Sequence, residues 1–321
     1  MRFSYRLIVS LLASLSLIVL SGCENPAQQA YEFGLNLEKS RAGLTQQQTV
    51  TPDGIEWSLL TSEGNVDKPV VLLIHGFGAD ASNWLRFAGD LEDEFYFVVP
   101  DLPGHGNTTR EIDLDYRMAS QAKRLLALMD SLGIEQFHVA GNSMGGAITL
   151  EMASQAPERV KSMGLIDSAG LTRQTPEFRK LLDNAEGNPL IPQSPDEFNT
   201  TLEWAMEDPP YMPDFFIDIM GQEKADNAPV AEAIFAQLND DPGMNLEGTG
   251  KLSALSTPAL VVWGQKDRLL GVDNVKVFLE ELPNARSAIL DNIGHLPMTE
   301  APGKTADLFR TFWLETGAPQ S

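Results

Sequence analysis

The chain is poor in cysteine, in histidine and in basic residues. Its 321 residues include one cysteine, so no intrachain disulfide can form, and four histidines. Lysine and arginine together number 23 against 45 acidic residues, which gives a formal net charge of -22. Because nucleic-acid phosphates and anionic lipid headgroups attract basic surfaces, this balance argues against both as electrostatic partners. The acidity is typical of a soluble surface that repels itself.

Motifs for cofactors and metals are missing as well. The sequence contains no metal-ligand cluster, no phosphate-binding loop, no internal repeat and no low-complexity tract. The glycines at Gly141, Gly145 and Gly146 do not have the Gly-x-Gly-x-x-Gly spacing of a dinucleotide site. We therefore expect a protein that uses neither a cofactor nor a metal ion.

The first 22 residues have the pattern of an export signal. Arg2 and Arg6 flank the start of a run of Leu, Ile, Val, Ala and Ser that extends to Leu20. This run is shorter than a membrane-spanning helix requires, whereas it suits the apolar core of a secretory signal. The sequence therefore predicts a signal peptide over residues 1–22.

The single cysteine follows this signal directly, in the tetrapeptide Leu20-Ser21-Gly22-Cys23. The tetrapeptide resembles the bacterial lipobox, in which the cysteine becomes the lipidated first residue of the mature protein. The alternative is a free thiol beside an ordinary cleavage site. Acyl chains on Cys23 would hold the protein to a membrane. Asp after the lipidated cysteine favours the inner membrane in proteobacterial sorting, so Glu24 favours the outer membrane of a Gram-negative cell envelope.

Residues 23–48 are polar and rich in glutamine, which predicts an N-terminal tether with a helix around Tyr31–Ser40. From Thr49 to Leu60 the pattern predicts a strand pair around a Pro52-Asp53-Gly54 turn. These residues would begin the folded body.

Apolar strands alternate with amphipathic helices through residues 49–170 and again through 251–321. This alternation predicts an α/β fold with a mostly parallel central sheet flanked by helices. Between the two parts, residues 171–250 are rich in proline and helical in character. An insertion of that length predicts a helical cap over the site.

The strand–turn–helix pattern around Ser143 is the strongest signal in the sequence. His138–Asn142 predicts a buried strand, and the residues from Met144 onward predict a helix. The intervening Gly-x-Ser-x-Gly turn would expose the Ser143 hydroxyl above the sheet, while Gly141 and Gly145 let neighbouring backbone pass close by. The alternative is an ordinary glycine-rich loop.

The order of residues along the chain selects the partners of this serine. In a fold of this type the nucleophile is followed by an acid and then by a histidine. Only His295 lies after Ser143 among the four histidines. Asp267 follows an apolar strand through a Gly-x-x-Asp loop and is the expected acid, whereas Asp167, also at a strand end, is the alternative. The backbone N–H groups of Phe77 and Met144 are the expected oxyanion hole.

These motifs resemble those of the α/β-hydrolase superfamily over roughly residues 50–315, and within it those of the bacterial family V lipases. The shared stretches are His75-Gly76-Phe77-Gly78, Gly141-Asn142-Ser143-Met144-Gly145-Gly146, Asp167-Ser168-Ala169-Gly170, Val261-Val262-Trp263-Gly264 with Asp267, and Gly294-His295-x-Pro297-Met298. The resemblance implies a carboxylic ester hydrolase, with triacylglycerols among its candidate substrates. It also implies catalytic roles for Ser143, Asp267 and His295.

Two other functions remain open at this point. The same triad could act on a different bond, as in a carbon–carbon bond hydrolase or a cofactor-free perhydrolase, because the fold does not determine the reaction. The third possibility is a non-catalytic binding protein on the same scaffold. The expected partners are a small-molecule or lipid ester and a membrane reached through the lipid anchor, with no nucleic acid, and the protein is expected to be a monomer.

Overall fold

The computed structural model describes residues 25–64, 66–171, 173–183 and 187–317. The predicted signal peptide at 1–22 and Cys23 lie outside these residues, so the predictions made for them stay predictions. Within the described ranges, no helix combines the length and the hydropathy that a bilayer-spanning segment needs.

Eight strands form one sheet. In chain order they are β1 (Leu44–Val50), β2 (Glu56–Ser62), β3 (Val70–Ile74), β4 (Tyr96–Pro100), β5 (Phe137–Asn142), β6 (Val160–Ile166), β7 (Ala259–Gly264) and β8 (Ala285–Leu290). Their spatial order is β1-β2-β4-β3-β5-β6-β7-β8. The two pairings made by β2 are antiparallel, and all others are parallel. The predicted α/β class and mostly parallel sheet are therefore confirmed.

Helices cover the sheet on both faces and also form the insertion. They are α1 (Pro26–Arg41), α2 (Leu85–Gly89), α3 (Met118–Ser131), α4 (Met144–Gln155), α5 (Pro176–Asp183), α6 (Glu197–Ala205), α7 (Asp214–Asp226), α8 (Ala228–Asn239), α9 (Asn274–Glu281), α10 (Pro297–Glu300) and α11 (Pro302–Gly317).

The core has two halves because alternate strand residues face opposite sides of the sheet. In β3, Leu72 and Ile74 join the cluster under α3, α4 and α9, whereas Val71 and Leu73 join the cluster under α2 and α11. All residues of β3 are buried, and so are those of β5 and β7. A strand covered on both faces needs a continuous apolar run, as the sequence has at Val70–Ile74.

The insertion between β6 and β7 is helical and packs against the body. It carries α5, α6, α7 and α8. Ile234 and Leu238 of α8 are buried in the same cluster as Met118 of α3. Polar bonds add to this contact, since Asn227 Nδ2 donates to the Gly104 carbonyl at 2.9 Å. The cap is therefore attached to the sheet layer by its last two helices.

The N-terminal region differs from the tether predicted at residues 23–48. Residues Pro26–Arg41 form α1 and residues Leu44–Val50 form β1, so the body begins earlier than Thr49. The helix contacts the cap, because the Tyr31 and Phe216 rings lie 5.1 Å apart. The helix expected around Tyr31–Ser40 lies within α1, but no pattern in the sequence indicates that this region packs against the body, for a physical reason. None of the residues of α1 is fully buried, and β1 is a polar edge strand that pairs only with β2.

His138 is a buried strand residue, as its position in β5 predicted. Its Nδ1 lies 2.8 Å from Ser162 Oγ, and its ring lies 6.2 Å from the Trp313 ring. Burial, with a smaller contribution from the Lys161 charge, lowers the pKa of His138 from 6.5 to about 4. The folded protein therefore keeps this imidazole neutral at pH values where the unfolded chain protonates it.

This difference predicts an acid sensitivity that His138→Gln reduces. Between about pH 6.5 and pH 4 the unfolded chain binds the His138 proton and the folded chain does not, so acid favours unfolding, by at most about 3 kcal/mol. Urea unfolding at pH 7 and pH 4.5 should show a smaller loss of stability in His138→Gln than in the wild type. Equal losses in both proteins would contradict the assignment.

Candidate active site

Ser143 lies at a strained turn between β5 and α4. Its backbone has φ 55° and ψ -121°, a left-handed value that a residue with a Cβ seldom adopts. Three backbone bonds hold the turn: Ser143 N donates to the Ile166 carbonyl at 3.0 Å, and the Ser143 carbonyl accepts from Gly146 at 2.9 Å and Ala169 at 2.9 Å. Asn142 and Met144 are buried while Ser143 is partly exposed. The turn therefore presents the hydroxyl to substrate.

Glycine is required around this turn by close backbone approaches. A Cβ on Gly145 would meet the carbonyl oxygens of Ile74 and His75, the second at 2.7 Å. A Cβ on Gly141 would meet the Gly145 backbone, at the start of α4. Both contacts are with backbone, which cannot rotate away as a side chain can. The predicted role of these two glycines is thus confirmed by their contacts.

His295 lies in the loop between β8 and α10 and is buried. Its Nδ1 lies 2.7 Å from Asp267 Oδ2. Its backbone is held from two sides: His295 N donates to the Ala205 carbonyl of the cap at 2.9 Å, and Asn142 Nδ2 donates to the His295 carbonyl at 3.0 Å. Because Asn142 precedes Ser143, this last bond ties the histidine loop to the serine turn.

Asp267 follows β7 and uses both carboxylate oxygens. Oδ1 accepts from the backbone N–H groups of Leu269 at 2.8 Å and Leu270 at 3.0 Å, and Oδ2 is bonded to His295. The side chain has no exposed surface. Bonds from backbone N–H groups orient the carboxylate, so His295 Nδ1 carries the hydrogen and Nε2 is left for chemistry.

Asp167, the alternative acid, also lies near His295, but its side chain is not hydrogen-bonded to the imidazole. Its Oδ1 accepts from Gly264 N at 3.0 Å. One carboxylate oxygen each of Asp167 and Asp267 and one ring nitrogen of His295 lie within 4.8 Å of one another. Burial raises the pKa of Asp167 well above its usual range, and the Asp267 charge raises it further. Among the described residues, the side-chain atoms of these three residues are close enough together to hold a metal ion. However, the imidazole and Asp267 are already hydrogen-bonded to each other.

The two backbone N–H groups expected to form an oxyanion hole lie on either side of the serine. Met144 is the first residue of α4, whose N-terminus carries a partial positive charge. Phe77 follows Gly76, whose added Cβ would lie 3.0 Å from Ser143 Cβ. Among the described residues, neither the Phe77 N–H nor the Met144 N–H donates to a protein acceptor. Both are therefore free to bind a substrate oxygen.

His75 and Asp101 form hydrogen bonds that hold the backbone around the Phe77 loop. His75 Nε2 accepts from Leu102 N at 2.9 Å, and its Nδ1 donates to the Gly76 carbonyl at 2.8 Å. Burial lowers the pKa of His75, which keeps the ring neutral and able to accept. Asp101 accepts from Ala81 N at 2.9 Å and from Asn107 N at 3.0 Å.

Glu300 is a residue of the site that the sequence did not reveal. Its Oε1 accepts from Gly294 N at 2.9 Å, next to His295. Its Oε2 accepts from the cap residues Glu207 at 2.8 Å and Asp208 at 3.0 Å. One carboxylate thus joins the histidine loop to the cap. No local pattern could have revealed its link to the cap, because its cap partners lie 93 and 92 residues away in the chain.

Comparisons with known proteins agree with this architecture. The family model described as the alpha/beta hydrolase fold matches residues 69–302. Lipase 1 of Psychrobacter immobilis is 34% identical over 315 residues, which cover 96% of each chain. Lipase 3 of Moraxella sp. (strain TA144) is 33% identical over 312 residues, 96% of this chain and 97% of that protein. The crystal structure of a membrane phospholipase A described as a bacterial virulence factor superposes with a TM-score of 0.87 at 31% identity, covering 98% of this chain and 99% of that chain.

The crowding at Gly145 predicts that Gly145→Ala loses both stability and activity, because its methyl group must displace the backbone at Ile74 and His75. Gly303→Ala is the matched control. Gly303 lies in the first turn of α11, where an added Cβ meets only Asp90 Oδ2 at 3.5 Å, and alanine favours helix. Gly145→Ala alone should unfold at a lower temperature and hydrolyse esters more slowly than the wild type. A fully active Gly145→Ala would contradict the packing argument.

Proposed function

This chain belongs to the alpha/beta hydrolase family and is a carboxylic ester hydrolase, and on that premise we propose that Ser143, His295 and Asp267 hydrolyse lipid esters through an acyl-enzyme. The observation that carries the proposal is the 2.7 Å bond between His295 Nδ1 and Asp267 Oδ2, in a loop tied to the Ser143 turn through Asn142.

Acylation begins when Ser143 Oγ attacks the ester carbonyl carbon while His295 Nε2 takes the hydroxyl proton. Asp267 stabilises the imidazolium that forms. The carbonyl oxygen becomes negative and binds the N–H groups of Phe77 and Met144. Each such donor contributes on the order of 3 kcal/mol in acyl transfer. When the carbon–oxygen bond breaks, His295 returns the proton to the leaving alcohol.

Deacylation repeats these steps with water as the nucleophile. His295 Nε2 takes a proton from water, the hydroxide oxygen bonds to the acyl carbon, and the proton passes to Ser143 Oγ as the acid leaves. The products are an alcohol and a carboxylic acid, and the triad returns to its first state. Every proton in this cycle moves through one nitrogen, so the orientation of His295 is decisive.

Lipid esters are the substrate class that the comparisons support best. The two similar proteins from Psychrobacter and Moraxella are lipases, and the superposed structure is that of a membrane phospholipase A. The chain adds apolar side chains next to the site: the Phe77 ring lies 5.7 Å from that of Phe235 in the cap. Apolar surface between the oxyanion loop and the cap suits an acyl chain better than a polar substrate.

We also infer that the protein is a monomer held by lipid at Cys23 in the outer membrane of a Gram-negative cell envelope, after removal of residues 1–22. The support is the tetrapeptide ending at Cys23, the following Glu24, and the start of α1 at Pro26. A single chain supplies the serine, the acid and the histidine, so catalysis requires no partner subunit.

A chain-length series of p-nitrophenyl esters tests the proposed function. Ser143→Ala should lose activity by roughly a million-fold, because the covalent step is gone. Activity on emulsified long-chain esters that vanishes in Ser143→Ala would establish a lipase, and activity on short acyl chains alone would restrict the enzyme to esterase. A fluorophosphonate probe that labels Ser143 without any ester turnover would contradict the proposal and favour another scissile bond.

Cys23→Ser tests the anchor. In cells, the wild-type protein should sediment with outer-membrane fractions and incorporate a labelled fatty acid, because several buried acyl chains hold a protein firmly. Cys23→Ser should lose the label, and its ester hydrolysis should persist since Cys23 takes no part in the chemistry. Unlabelled wild-type protein, or a labelled variant, would show that lipid is not attached at Cys23.

A further inference from the structure

Asp167 is a buried acid that the catalytic cycle does not use. It follows β6 directly, is fully buried, and has a left-handed backbone with φ 42°. Its Oδ1 accepts from Gly264 N at 3.0 Å. Its Oδ2 is equally buried, and no donor in the described part of the chain reaches it. A buried polar atom without a partner is rare in folded proteins, so this oxygen requires an explanation.

The explanation lies in the neighbouring carboxylate. A carboxylate oxygen of Asp167, one of Asp267 and a ring nitrogen of His295 all lie within 4.8 Å of one another. Two carboxylates whose oxygens lie within 4.8 Å of each other in a buried site repel each other, so a proton on one of them is favoured. A proton on Asp167 turns the unpaired Oδ2 into a hydroxyl donor and gives it Asp267 as its acceptor.

The hydrogen-bond donors decide which acid is neutral. Asp267 receives three, from Leu269 N, Leu270 N and His295 Nδ1, whereas Asp167 receives one, from Gly264 N. Hydrogen bonds to a carboxylate favour its charged form. The negative charge therefore stays on Asp267.

The other charges that face Asp167 act in the same direction. Asp267 comes from the loop after β7 and Glu300 from α10, and both are acidic, while burial removes the water that would stabilise a charge. The pKa of Asp167 is raised by burial first and by Asp267 next. His295, which could become positive, is hydrogen-bonded to Asp267 and not to Asp167.

We propose that Asp167 is a positioning residue, a neutral carboxylic acid whose hydroxyl donates to Asp267 and holds that carboxylate against His295. The inference rests on the proposed function of Asp267 and His295. Asp167 thereby completes the shell of donors around Asp267. It also keeps the acid pair at a single negative charge, enough to stabilise one imidazolium.

Two substitutions separate a neutral donor from a catalytic anion. Asn at position 167 keeps both bonds, since its Nδ2 donates to Asp267 and its Oδ1 accepts from Gly264 N, and Asn tolerates left-handed backbone. Asp167→Leu has similar size but neither a donor nor an acceptor, and the cost of placing Leu at φ 42° and of leaving Gly264 N without its acceptor is measured by its thermal unfolding. Asp167→Asn should lower kcat by no more than about fivefold, and Asp167→Leu by about 10- to 100-fold, the loss of one hydrogen bond to a charged group.

Spectroscopy gives readouts that a merely structural role would not move. At pH 7 the infrared difference between wild type and Asp167→Asn should contain the carbonyl band of a protonated carboxylic acid. The low-field proton resonance of the His295 Nδ1–H group should persist in Asp167→Asn and shift in Asp167→Leu. Thermal unfolding of each variant separates these effects from loss of folding. If Asp167→Leu fails to fold, the activity of Asp167→Asn and the infrared band still test whether Asp167 is a neutral donor.

Asp267→Asn distinguishes failure of this inference from failure of the proposed function. It should lower kcat by about 10⁴-fold, because the imidazole loses its charged partner. If Asp267→Asn and Asp167→Asn lost activity equally, or the infrared band were missing, the neutral role of Asp167 would be wrong and the triad would stand. If Asp267→Asn stayed active, the proposed triad itself would be wrong.

Discussion

Close backbone packing at the carboxyl edge of the sheet is the constraint on which the site depends. The serine turn at Gly145 lies against the carbonyls of Ile74 and His75, and β7 at Gly264 lies against the histidine loop at Gly294, each closer than a Cβ would allow. Parallel strands end at one edge, so four loops converge there. Glycine at these positions lets the loop of Phe77, the Ser143 turn and the loops of Asp267 and His295 pack closely at this edge.

The buried titratable side chains on the two sides of Ser143 differ in type: acids lie behind His295, and neutral histidines lie near Phe77. Behind His295, two acids and the imidazole form one cluster, in which Asp267 accepts the most hydrogen bonds. On the oxyanion side, burial lowers the pKa values of His75 and His105, so both rings are neutral there.

The cap is connected to the catalytic loops by polar contacts as well as by packing. Glu300 joins residues 207 and 208 to Gly294, and the Ala205 carbonyl accepts from His295 N. On the other side of the site, Lys224 of the cap forms an ion pair with Asp80 at 3.0 Å, just beyond the oxyanion loop. Helix α1 contacts the same cap helix through Tyr31, so α1 lies beside the cap.

The sequence by itself determined the elements whose signals are local: the apolar central strands, the Gly-x-Ser-x-Gly turn, and the chain order that selects Asp267 and His295. Those signals are readable because a buried strand must be apolar and a tight turn needs glycine. Tertiary contacts alone determine that Asp267 rather than Asp167 bonds His295, that Glu300 joins the cap to the histidine loop, and that α1 and β1 pack onto the body. Each of these depends on contacts between distant residues or on half-exposed polar surfaces, and neither leaves a periodic pattern in the chain.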